Sequence, residues 1–286
     1  MAEAINQFAP KESKSALARR LGISRASLYY RPKLPAKDLK LKADIEMVMG
    51  QDKAYGHRRI ADELDINKKR ALRVMKLYGL KPKRRRKKPE KPKDKNQKPA
   101  TTPNLVKGLA VSCPHRVWAS DFTYLPYFGK FVYLATVEDI FTRQLVGWAV
   151  STRHNVNLVT LALVDAVLSH PIPDIIHSDQ GSEYRHKIYR NLLKSLNIKQ
   201  SMTARKSPWE NGYQESFYSG FKFELGHPEI YPELGELIEA VAQQIHYYNN
   251  HRIHTALKCP PAVFARRYDY KNNPPDRQVT AVRQVV

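Results

Sequence analysis

Residues 117–151 read VWASDFTYLPYFGKFVYLATVEDIFTRQLVGWAVS, and their rhythm decides the fold. Three runs, VWASDFTYLPY, GKFVYLATVEDI and QLVGWAV, are rich in β-branched and aromatic residues. Gly129 separates the first two, and the polar stretch Thr142, Arg143, Gln144 separates the second from the third. This spacing predicts a three-stranded antiparallel meander. Downstream the period lengthens. Residues 157–168, NLVTLALVDAVL, carry an amphipathic helical pattern that ends before Pro171. Asp174 to Ser178 is a short buried strand, followed by a helix over about 184–196 and a short strand near Ile198. A long helix over about 208–224 and a last one over about 234–249 complete the pattern. Strands first, then alternating helix and strand, imply a mixed α/β sheet.

Upstream the chain is helical and basic. From about Ser13 to Tyr30 it reads as helix, turn, helix: Ala16, Leu17, Leu21 and Ile23 give apolar spacing, and Gly22 breaks the first helix. Ser24 caps a second helix carrying Arg25, Leu28 and Tyr29, which Pro32 ends. In the next unit Leu41, Ile45 and Met49 recur every four residues, then comes YGHRRI, residues 55–60, with Arg58 and Arg59. Asn67 caps a helix from Lys68 to Tyr78 that Gly79 closes. It is expected to bury Leu72, Met75 and one of Leu77 and Tyr78, leaving Lys69, Arg70 and Arg73 on a basic face. Such a face is either merely solvated or set against DNA. Two helix-turn-helix-like units in tandem favour DNA.

Charge distribution supports that choice. Lys plus Arg number 49 against 27 Asp plus Glu, a net charge of +22 in 286 residues. Residues 1–80 hold +9, residues 81–99 another +9, and residues 100–286 only +4. The stretch KPKRRRKKPEKPKDKNQKP, residues 81–99, has four prolines and almost nothing apolar. It is a linker, and Arg84, Arg85 and Arg86 are placed to lie along DNA phosphates. The excess points to a polyanionic partner rather than to a metabolic enzyme. Only two cysteines, Cys113 and Cys259, argue against a disulfide framework or a Cys-based zinc site and fit a reducing cytoplasm. No apolar run is long enough to span a membrane, and residues 1–15 lack the apolar region of a signal peptide.

Three carboxylates stand out: Asp121 inside the first strand, Asp179 just past the buried strand in HSDQGSEY, and Glu215 on the long helix in PWENGYQESFY. Taken singly, a strand Asp or a helical Glu faces solvent more often than it builds a site. Together they match a chemical need. Cutting or joining a phosphodiester is served by two Mg²⁺ ions that stabilise the attacking and the leaving oxygen at once, and Mg²⁺ takes hard oxygen ligands. Without a cation the three charges repel, so the site is expected to be poorly formed until one binds. Glu138 and Asp139 are decoys on the neighbouring strand, Asp139 being placed to hold the following turn. Glu210 rivals Glu215, but on a helix Asn211, Glu215 and Lys222 share a face that Glu210 does not.

These residues resemble a known family. WASDFTY (118–124), HSDQGSEY (177–184) and WENGYQESF (209–217), with Lys222 seven residues after Glu215, resemble the DDE-type transposases of bacterial insertion sequences, specifically the OrfB protein of the family numbered three. YGHRRI (55–60) and YNNHRIHTAL (248–257) match as well. The resemblance implies an RNase H-like, retroviral-integrase-type core. It implies that Asp121, Asp179 and Glu215 bind two divalent ions, Mg²⁺ or Mn²⁺, and that Lys222 contacts DNA near the cleaved phosphate. Trp209 is implied to pack or to stack on a base. Arg252 and His254 either lean towards DNA or tie the last helix to the core. The family usually has Asp where this chain has Glu210. Implied partners are the double-stranded DNA of transposon ends and target, further copies of the chain on that DNA, and an A-frame (OrfA) protein, separate or fused. In this family the first strand transfer joins one end to the other in a circle.

The expected organisation is a helix-turn-helix unit (1–36), a second helical DNA-binding unit (37–80), a basic Pro-rich linker (81–110), the catalytic core (111–270) and a tail (271–286). A retroviral integrase proper needs a zinc module with two His and two Cys, and the first third has one His and no Cys. A regulator without catalysis would have lost a carboxylate. A plain nuclease needs no tandem DNA-binding units.

Overall fold

The computed structural model describes residues 13–20, 22–26, 34–83, 102–204 and 211–268. The chain forms two compact units, 1–83 and 84–286.

In the first unit, α1 (Lys14–Arg20) starts where the Ser13 hydroxyl accepts from the Ala16 amide, and it ends at Gly22, φ +64°. Ser24 to Ala26 begin the expected second helix, whose remainder lies outside the described residues. Three helices follow: α2 (Leu34–Gln51), α3 (His57–Glu63) and α4 (Lys68–Leu77). Helix α2 is twice as long as its Leu41–Met49 repeat suggests, and Val48 rather than Met49 completes its buried face with Leu41 and Ile45. Asn67 caps α4 as expected, its side chain accepting from the Lys69 amide at 2.8 Å. The inner face of α4 is Ala71, Val74 and Met75; Leu72 is half-buried and Leu77 is 61% exposed, which corrects the expected phase. A polar pair helps to set that phase: Arg73 grips the buried Asp38 of α2 through both guanidinium nitrogens, each at 2.6 Å.

The second unit is built on a five-stranded sheet in the order β3-β2-β1-β4-β5. The expected meander is β1 (Val117–Tyr127), β2 (Lys130–Asp139) and β3 (Leu145–Ser151), all antiparallel. After α5 (Val156–Ser169), β4 (Ile175–Ser178) joins parallel to β1. The expected helix over 184–196 is two, α6 (Ser182–Arg185) and α7 (Lys187–Ser195), divided at His186, which caps the second. Strand β5 (Lys199–Met202) then pairs parallel with β4. Helices α8 (Gly212–Leu225) and α9 (Leu234–Asn250) follow, and α10 (Pro261–Arg267) is an element the spacing did not reveal.

Alternation along β1 gives the sheet two buried faces. Trp118 and Phe122 pack with Leu158, Ala162 and Leu163 of α5. Leu125, with Leu134 of β2, packs against Phe217 and Phe221 of α8 and Val241 of α9. Helix α5 approaches β3 so closely that a Cβ on Gly147 would lie 2.6 Å from that of Ala166, so only glycine fits there.

Candidate active site

Register brings the first two carboxylates together. Val117, Trp118 and Ala119 pair with Ile175, Ile176 and His177 in the parallel ladder. Two residues beyond the last pair stand Asp121, still within β1, and Asp179, just past the end of β4. Equal steps in a parallel register keep side chains on one face of adjacent strands, which lie about 4.8 Å apart. Asp179 sits in the turn after β4, where its Oδ1 accepts from the Gly181 amide at 2.9 Å. A Cβ on Gly181 would come to 3.0 Å from both Asp179 Oδ1 and Glu183 Oε2, so a larger residue here would make the two acids shift by a few tenths of an ångström.

Glu215 comes from α8, in its first turn rather than mid-helix as the spacing suggested, because the helix begins at Gly212. Its neighbours fasten α8 to β1. Buried Gln214 donates from Nε2 to the Ala119 carbonyl at 2.7 Å and accepts from the Thr136 hydroxyl at 2.9 Å. One turn on, the Tyr218 hydroxyl donates to the Asp121 carbonyl at 2.7 Å and lies 2.8 Å from the Thr136 hydroxyl. Gln214, Tyr218 and Thr136 were not singled out in the sequence. The only signal was the i, i+4 spacing of two hydrogen-bonding side chains around Glu215.

The electrostatics match this placement. Burial pushes the half-buried Asp121 carboxyl up to about 7, and the negative charges of Asp179 and Glu215 add to the rise. The Phe122 amide and the Lys222 ammonium act the other way. Burial also raises Asp179, with the charge of Glu183 adding to it and the Gly181 amide opposing it. Glu183 is buried, accepts from the Ser182 hydroxyl at 2.9 Å and lies 3.1 Å from His154 Nε2. Among the described residues no three His, Cys, Asp or Glu side chains are gathered tightly enough to hold a metal ion. The donor set nevertheless suits one: the acids are hard oxygen ligands, and a cation would relieve the repulsion that raises Asp121.

The other residues of the sequence reading are scattered. Lys222 projects from α8 with its Nζ 4.7 Å from the centre of the Tyr124 ring. Arg25, Arg58, Lys69 and Arg70 are exposed on the first unit. Arg59 lies over the Tyr55 ring at 5.4 Å, and Arg73 is committed to Asp38. Arg252 is buried, donating from Nε to Glu224 Oε1 at 2.8 Å, which ties the turn after α9 to α8. His254 is half-buried in a bridge to Cys259. Arg84, Arg85, Arg86, Trp209 and Glu210 lie outside the described residues. Asp139 holds its turn as expected, accepting from the Phe141 amide, the Thr142 hydroxyl and the His115 amide.

A meander continued by two parallel strands, with helices on both faces, is an RNase H-like catalytic core. Family comparison agrees: residues 111–208 and 196–261 match two models, each described as an integrase core domain. The chain is 34% identical over 229 residues to the transposase for insertion sequence element IS904 of Lactococcus lactis, covering 76% of this chain and 89% of that protein. It is 30% identical over 281 residues to InsK of insertion sequence element IS150 in Escherichia coli, covering 93% and 96%. Among solved structures it is similar in fold to a chain of the simian T-cell lymphotropic virus intasome, with a TM-score of 0.50 at 14% identity, over 82% of this chain and 78% of that one. The chain belongs to the IS3-type DDE transposases. It is a polynucleotidyl transferase of the integrase class, and an integrase-type core depends on divalent metal.

Proposed function

We propose that Asp121, Asp179 and Glu215 are the catalytic carboxylates of a transposase that cleaves insertion-sequence ends and joins them to target DNA. The observation that carries the reading is the shared register of Asp121 and Asp179, with Glu215 on the helix that Gln214 and Tyr218 fasten to β1. The three acids hold two divalent ions, Mg²⁺ or Mn²⁺. When bound, such ions orient an attacking oxygen and take up the charge of a leaving one.

In the first step a water oxygen bonds to phosphorus at the transposon end, the P–O3′ bond breaks, and a 3′-OH is freed. In the second that hydroxyl attacks a target phosphodiester, whose own P–O3′ bond breaks. One phosphodiester replaces another, so joining needs no external energy source. The acids orient the nucleophile and accept its proton. Lys222 lies near enough to Asp121 to act on its charge, so it is placed to meet a phosphate at the same site. Arg25, Arg58, Lys69 and Arg70 bind duplex DNA from the first unit, with Arg59 and the linker's Arg84 to Arg86 as further cations for its phosphates. Arg252 positions α8 through Glu224. On this reading the protein acts on DNA in the bacterial cytoplasm, as several copies on the paired ends, with an A-frame protein as partner or fusion.

The test is a strand-transfer assay on inverted-repeat ends with Mg²⁺ or Mn²⁺. Wild-type protein should yield joined product, and Asp121→Asn none. Joining by the Asp121→Asn protein would overturn the assignment.

A further inference from the structure

The β1–β2 hairpin carries an aromatic surface that the chemistry above leaves unused. Phe122, Tyr124 and Pro126 alternate onto the α5 face of β1, with Tyr133 opposite Tyr124 and Phe131 opposite Pro126. Tyr133 is packed against the core on that face, but Tyr124 is 55% exposed, Phe131 49% and Phe128 57%. Tyr124 meets Phe131 edge-on at 5.2 Å.

The tip itself is held against backbone preference. Phe128 has φ +44° and Gly129 φ +71°, the pair of positive angles that a two-residue hairpin turn needs and that Asn-Gly suits best. A bulky aromatic residue at positive φ is an outlier. The tip is also anchored, because the Tyr127 hydroxyl donates to the Tyr231 and Pro232 carbonyls at 3.0 Å each. An exposed ring kept at an unfavourable angle on an anchored turn, beside two more exposed rings, is a contact surface.

Its charge selects the occupant. Lys222 lies over Tyr124, and exposed Arg153 precedes His154, whose ring stacks on Tyr133 at 5.3 Å. Burial raises the Tyr127 hydroxyl, and the charges of Glu233 and Glu236, which add to the rise, act on the opposite face. Strand β4 pairs with β1 only as far as Ala119, so the edge of β1 beyond Asp121 has no strand beside it among the described residues. Lys222 passes over that edge, linking the carboxylate site to the rings.

We propose that this hairpin face is a stacking platform for unpaired DNA bases, taking the strand separated from the one that enters the carboxylate site. The proposal rests on the strand-transfer reading. Aromatic rings stack on any base, and the flanking cations take the adjoining phosphates. A duplex hides its base faces, so the platform distinguishes frayed from paired ends.

Fluorescence anisotropy with the full-length protein tests this, using a labelled oligothymidine and a blunt duplex of equal length. The variants are Phe128→Asn alone and Phe128→Asn combined with Tyr124→Thr and Phe131→Thr. Asn suits the turn and Thr suits a strand, and thermal melting checks that each variant folds. The triple variant should lose roughly tenfold in affinity for the oligothymidine, and Phe128→Asn a few-fold, with little change on the duplex. Unchanged oligothymidine affinity, or equal loss on both DNAs, would overturn the proposal. Loss of self-association in sedimentation with oligothymidine binding intact would instead make the face a contact between copies. Asp121→Asn protein should keep its oligothymidine affinity while losing strand transfer, so the platform and the carboxylate assignment fail separately.

Discussion

Asp121 is held in an unfavourable place for a charge, and that has a thermodynamic sign. Its carboxyl titrates at about 7 in the folded chain, well above an ordinary aspartate. The folded state therefore keeps a proton that the unfolded state has already lost between about pH 4 and 7. The contribution to stability is whole below that window and is lost as pH rises through it. Asp121→Asn should raise the metal-free melting temperature at pH 8, by about 2–4 °C for each kcal/mol relieved. Mg²⁺ should raise the melting temperature of wild-type protein and not of this variant. Glu138 behaves alike, and burial is again the main cause. It is 2% exposed, its Oε2 has no hydrogen-bond partner among the described residues, and burial pushes it up to about 8 despite the opposing charge of Arg143. Glu138→Gln should flatten the fall in stability between about pH 4.5 and 8, an effect of at most a few kcal/mol. Thermal melts across that range check both variants.

At the scale of elements, the seam between α8 and β1 decides whether Glu215 faces the aspartates. Tyr218→Phe removes only the hydroxyl that donates to the Asp121 carbonyl. It should cost about 1–3 kcal/mol of stability and weaken metal-dependent activity, with a higher metal concentration needed for half-maximal rate. Denaturant melts and metal titrations of strand transfer read the two effects. The strands that carry this seam were legible, because alternation of β-branched and aromatic residues survives in any context that buries both faces of a sheet. Asp121 and Asp179 stood out against the same runs, one acid inside a strand and one just past another. The seam was not. Gln214 and Tyr218 are hydrogen-bonding side chains on a buried helix face, and sequence periodicity assigns such residues to solvent. The break at His186 and the short α10 were hidden because helices of four to nine residues carry too few turns to show a period. The phase of α4 was misread because Arg73, a charged residue, makes an interhelical tie to Asp38.

Across the whole molecule, charge and chemistry are divided between units. The first unit and the following linker hold most of the net charge, and the second holds the acids. Duplex affinity should therefore fall steeply with salt. Lys69→Ala and Arg70→Ala should each reduce the slope of log affinity against log salt by about one and weaken all duplexes alike. Arg73→Ala should act differently, lowering the melting temperature by leaving buried Asp38 unpaired. Salt titrations of DNA binding beside melts of the same proteins separate contact from scaffold.

The most direct measurement is anomalous scattering from crystals of the protein grown with Mn²⁺. Metal density bridging Asp121 and Asp179, with Glu215 turned in beside it, is the predicted result. Manganese bound elsewhere, with Asp121 and Asp179 left without metal at saturating concentration, would contradict the carboxylate assignment.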